Sequence, residues 1–151
     1  AIGPEHAYYR DTGRIRYVVR DLPLSFHAMA EPAAAGARCA GEQGRFWEAR
    51  DALFEVSAEL SADVIRTKML GLGLDAARYD ACVANPATLA AVKADQDEAA
   101  AAGITGTPSF VVGRAANGTI EGTVVSGAQP YGTFAARLDA LLAEAPAAVR
   151  N

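Results

Sequence analysis

The chain has 151 residues, 51% of them hydrophobic and 21% charged, with a formal charge of -4; these are the proportions of one compact soluble domain of ordinary size. Fourteen basic against eighteen acidic side chains, with no basic run, leave no electrostatic footprint for nucleic acid. The Ala-rich region 84–103 is broken by Lys93, Asp95, Asp97 and Glu98, so no membrane span is expected. Residues 1–20 lack the apolar segment of a signal peptide, so any export signal is expected outside this sequence.

Alanine is abundant and Arg outnumbers Lys twelve to two, so the large side chains carry the pattern. Ile15–Arg20 is β-branched and aromatic, follows the turn signal Thr12-Gly13 and stops at Asp21-Leu22-Pro23, which predicts a short strand. A helical stretch follows: Phe26 to Gln43, Arg45 to about Glu59, then Ala62 to about Leu70 with Gly71 as its stop. Asp75 is expected to cap a helix over Ala76 to Ala84. Asn85-Pro86, a cap followed by proline at the first helical position, opens one running to Gly103. Beyond it, Ser109 to Val112 and Thr119 to Ser126, joined through Asn117-Gly118, read as a hairpin. Gln129-Pro130 then starts a closing helix with Tyr131, Phe134, Leu138, Leu141 and Leu142 on one face; 146–151 is a tail.

Few residues offer chemistry. Cys39 and Cys82, 43 positions apart, are not a Cys-x-x-Cys pair. They are either a disulfide clamping two helices or two buried thiols, and the even count favours pairing. His6 and His27 with the cysteines could supply four zinc ligands, but none of the four lies close enough to another for a structural zinc site, and no metal is expected. There is no Gly-x-Ser-x-Gly elbow, and Gly71-Leu72-Gly73-Leu74 follows a helix rather than a strand, so it reads as a helix stop. Phe46, Trp47 and Phe54 are expected in the core, and Asp95, Asp97 and Glu98 on a solvated helix face. Thr107-Pro108 is the most informative dipeptide: a proline at the mouth of a strand gives no N–H to a ladder and leaves a neighbouring backbone edge open.

Gly103-Ile-Thr-Gly-Thr-Pro-Ser-Phe-Val-Val-Gly113 resembles the cis-proline loop and following strand of DsbA-like thioredoxin-fold disulfide oxidoreductases. Arg16 to His27 resembles that family's second core strand and Pro-Leu-x-x-His turn; Ala37 to Trp47 and Tyr79 to Cys82 resemble its helical insertion, and Ser126 to Tyr131 the start of its last helix. The resemblance implies an α/β, thioredoxin-like fold with a large all-helical insertion: a single domain over 1–145, with a core of 1–23 and 104–145 and an insertion of 24–103. It also implies a cis Thr107-Pro108 bond, Thr107 and Pro108 as substrate-binding residues, and Cys39 with Cys82 as a non-catalytic structural disulfide.

One departure is large. The family's first core strand leads to a reactive Cys-x-x-Cys at a helix N-terminus, whereas residues 1–11 here resemble the second half of that helix, and the sequence contains no Cys-x-x-Cys. No catalytic residue is therefore expected in this chain, no cofactor is implied, and the central β-sheet is expected to be incomplete. Its empty slot, between Ile15–Arg20 and Ser109–Val112, would be filled by a strand from upstream or from a partner. The activity implied is disulfide exchange with exported proteins outside the cytoplasm. The alternatives are a non-catalytic peptide-binding module or a glutathione-transferase-like relative using a serine.

Overall fold

The computed structural model describes residues 9, 12–116 and 118–144. Its chain divides into two compact units, one of Arg20–Gly103 and one made of the described residues up to Val19 together with those from Ile104 onward.

The first unit is all helical: α1 Ala30–Gly41, α2 Phe46–Glu55, α3 Ala62–Gly71, α4 Ala76–Val83 and α5 Pro86–Ala101. Helix α1 touches each of the others, because its small residues Ala35, Gly36, Ala37 and Ala40 let neighbouring helices approach closely. A Cβ on Gly36 would lie 2.9 Å from the Tyr79 hydroxyl and 3.0 Å from Ile65 Cγ2. Ala49 and Leu53 of α2, Ile65 and Met69 of α3, and Tyr79 of α4 close the core around it.

Local chemistry sets the helix ends. Ser61, Asp75 and Asn85 accept from the N–H groups of Val64, Arg78 and Ala87, each satisfying a donor that the first turn leaves free. Helix α1 begins at Ala30 rather than Phe26: Pro32 has no N–H and is tolerated only in a first turn, so His27 and Ala30 close turns onto Leu24 and His27 instead. The stop of α3 also shifts, since Gly71 is still helical and the left-handed residue is Gly73, at φ +80°.

The second unit holds β1 Ser109–Ala116, β2 Thr119–Ser126 and α6 Tyr131–Ala143. The strands pair antiparallel from Ser109↔Ser126 to Ala116↔Thr119. Phe110 of β1 meets Phe134 of α6 edge to face at 4.8 Å, and Val125 and Phe134 are buried. Arg114 reaches the end of α6 and donates to the Leu141 carbonyl, which suits a cation at a helix C-terminus. Tyr9 is buried and donates to Asp139; burial and that carboxylate push its hydroxyl up to about 12. Gly113 and Gly122 oppose each other so closely that a Cβ on Gly113 would sit 2.0 Å from the Glu121 carbonyl oxygen, so only glycine fits.

The expected strand at Ile15–Arg20 is not formed. Ile15, Tyr17 and Val19 are half-buried and Arg16, Val18 and Arg20 exposed, the alternation of an extended chain. The sheet of the described residues nevertheless contains β1 and β2 alone. A strand exists through its ladder, and among the described residues none pairs with this segment.

The helical unit takes in the end of this segment: Arg20 and the Asp21 N–H both bond Asp95 of α5, and Gln96 donates to the Pro23 carbonyl. Residues 146–151, most of 1–11 including His6, and Asn117 lie outside the described residues.

Candidate functional site

The loop before β1 is built by short-range bonds. Gly103, at φ +71°, ends α5, the Ser109 hydroxyl donates to the Gly106 carbonyl at 2.7 Å, and the Thr107-Pro108 peptide bond is cis. The Pro108 carbonyl accepts from the Gly127 N–H at 2.8 Å, which extends the β1–β2 register one pair past Ser109↔Ser126.

Antiparallel ladders alternate between pairs that exchange bonds and pairs that do not. With Pro108 and Gly127 bonded, the groups of Phe110, Val112, Arg114 and Ala116 face β2. Those of Ser109, Val111, Gly113 and Ala115 face the outer edge, and Thr107 is in phase with them. Thr107 and Pro108 are exposed, and the Thr107 N–H and C=O take part in no hydrogen bond among the described residues. The loop therefore presents an open donor and acceptor beside a residue that cannot itself donate.

The second expected feature lies in the helical unit. Cys39 of α1 and Cys82 of α4 are joined, with S–S 2.03 Å and Cα–Cα 5.7 Å. Cys39 is fully buried. Thr88 of α5 donates to the Cys82 carbonyl at 2.7 Å, and its hydroxyl lies 3.7 Å from Cys82 Sγ. No cysteine among the described residues is free, so neither thiol is available for exchange.

Trp47 and Phe54 are 41% and 62% exposed rather than in the core; α2 turns Ala49 and Leu53 inward, and the Arg50 guanidinium lies 4.8 Å over the Phe54 ring. Asp95 is not on a solvated face either. It is 4% exposed and bonded to Arg20, to Arg38 of α1 and to the Asp21 N–H, while Arg38 also pairs with Asp21. Burial raises the Asp21 carboxyl above its ordinary range, opposed by the Arg38 guanidinium. The signal was in the sequence: Thr88, Val92 and Asp95 fall at 4 and 3 spacing, which puts Asp95 on the buried stripe of α5.

Comparison with known proteins places the chain. It is 37% identical over 132 residues to the Na(+)/H(+) antiporter NhaA 3 of Salinispora tropica, covering 85% of this chain and 20% of that protein. It is 37% identical over 103 residues to the Na(+)/H(+) antiporter NhaA 1 of Salinispora arenicola, covering 68% and 16%. It is 34% identical over 113 residues to the Na(+)/H(+) antiporter NhaA of Herminiimonas arsenicoxydans, covering 74% and 18%. The chain thus spans a fifth or less of these curated relatives, and no helix among its described residues is long and apolar enough to cross a membrane. No solved structure matches. The model of the DSBA-like thioredoxin domain matches residues 4–139, and the chain belongs to that family, whose fold is thioredoxin-like.

Proposed function

We propose that this protein is the peptide-holding part of a DsbA-like thiol–disulfide oxidoreductase that acts on exported proteins outside the cytoplasm. The observation that carries the reading is Thr107, exposed and with its main-chain groups unengaged next to Pro108. An extended segment of a thiol- or disulfide-containing protein laid along Thr107 gains main-chain hydrogen bonds whatever its side chains, as in strand addition. Exchange itself needs a thiolate to attack a disulfide sulfur, and Cys39 and Cys82 are locked together in the helical unit. The dithiol accordingly lies outside residues 1–151, at the N-terminus of a helix that follows a strand pairing along the outer edge of β1, the strand being supplied from upstream or by a partner chain.

A second reading, a non-catalytic peptide-binding module, is favoured by one observation: among the described residues both cysteines are spent in the disulfide. Two assays test what the two readings share. An unfolded, alkylated protein used as a fluorescent probe should bind the 151-residue chain, and Thr107→Pro, which removes the open N–H, should weaken binding at least about tenfold. Unchanged affinity in a variant that keeps the wild-type circular dichroism would remove the groove from both readings. The same chain should be inactive in insulin reduction, and cysteine-dependent turnover would overturn the structural assignment of Cys39 and Cys82.

A further inference from the structure

The Thr107 N–H is half of a peptide unit whose other half is the Gly106 carbonyl, and that carbonyl accepts the Ser109 hydroxyl at 2.7 Å. The Gly106–Thr107 bond is trans. In a planar trans peptide the C=O and N–H point in opposite directions, so whatever fixes the carbonyl also aims the N–H. Among the described residues, the stretch Ile104–Thr107 takes part in no other hydrogen bond. Packing does not fix the unit either, because Gly106 has no Cβ and the space where one would stand is open. Ser109 is itself held, as the first residue of β1, opposite Ser126.

We propose that Ser109 is a positioning residue: its hydroxyl, by holding the Gly106 carbonyl, turns the Thr107 N–H outward to the carbonyl of a bound extended segment. The inference rests on the reading of Thr107 as the residue that holds peptide, and it adds how that residue is aimed. Two effects contribute. The bond orders the loop before a segment arrives, so less conformational freedom is lost on binding. It also polarises the peptide unit it holds, which strengthens the N–H at the other end as a donor.

Binding of the fluorescent alkylated protein to the 151-residue chain tests the proposal. Ser109→Ala should weaken it about fivefold, the roughly 1 kcal/mol of one hydrogen bond, and Ser109→Thr, which keeps the hydroxyl, should stay within about twofold of wild type. The double variant Thr107→Pro/Ser109→Ala should bind no more weakly than Thr107→Pro, because Ser109 acts only through the N–H that proline removes. Backbone amide relaxation of the free chain gives a reading that needs no ligand: the Thr107 order parameter should fall from about 0.85 to below about 0.6 in Ser109→Ala and stay unchanged in Ser109→Thr. Full affinity in Ser109→Ala, an equal loss in the threonine variant, additive losses in the double variant, or a Thr107 amide equally ordered with and without the hydroxyl would each overturn the proposal. Unchanged affinity in Thr107→Pro, or no binding at all, counts against the reading of Thr107 instead, and the relaxation measurement then decides alone whether Ser109 aims the loop.

Discussion

The two units bury apolar residues very differently. Among the described residues the helical unit buries ten: Ala35, Ala37, Cys39, Ala40, Ala49, Leu53, Ile65, Met69, Tyr79 and Val92. The hairpin unit buries three: Tyr9, Val125 and Phe134. The helical unit also carries the disulfide and the Asp21–Arg38–Asp95 cluster, whereas among the described residues no further strand pairs with either edge of the two-stranded sheet. The contrast has a physical cause: a helix satisfies its main chain internally, while a strand needs a neighbour.

Removing the cross-link should weaken the helical unit most. Replacing Cys39 and Cys82 by Ala releases a 43-residue separation and should cost about 4 kcal/mol on the chain-entropy model, read as a lower midpoint in urea; an unchanged midpoint would show that the helices hold without the clamp. Arg38→Ala should cost about 3 kcal/mol, because it leaves the buried Asp95 and Asp21 carboxylates with less compensation. Arg38→Met, lacking the charge as well, should behave similarly, and near-wild-type stability for both variants would reduce the cluster to a surface network. Gly36→Ala, which drives a methyl against Tyr79 and Ile65, should cost about 2 kcal/mol.

The smallest effects follow pH, one in each unit. The raised Asp21 carboxyl takes up its proton at higher pH in the folded chain than in the unfolded one. Its contribution is thus fully present below the unfolded value and is lost as pH rises through the folded one. Asp21→Asn should remove that slope from the stability profile, and a carboxyl carbon titrating at or below the ordinary aspartate range would refute the raised value. In the hairpin unit the Tyr9 contribution is intact below about pH 10 and lost as pH rises towards the folded value of about 12. Absorbance near 295 nm should find a tyrosinate step there that Tyr9→Phe removes.

Much of this was legible in the residues, and the division has a physical cause. Asp75 and Asn85-Pro86 announced their helices because capping is local chemistry, and Tyr131, Phe134 and Leu138 announced the last helix by spacing alone. The hairpin's strands and the Cys39–Cys82 pair also agree with the sequence reading. What local sequence could not settle depends on a second segment. Ile15–Arg20 has the composition of a strand, but strand formation depends on a neighbour that composition does not contain. Trp47 and Phe54 have core composition, yet only the packing of Ala49 and Leu53 on α1 and α3 decided which face of α2 turned inward. Asp95 read as solvated beside Asp97 and Glu98 until Arg38, 57 positions away, came within bonding distance. Caps, turns and periodicity are written over three or four residues; burial and pairing are settled by partners far away in the chain, and those only the tertiary structure brings together.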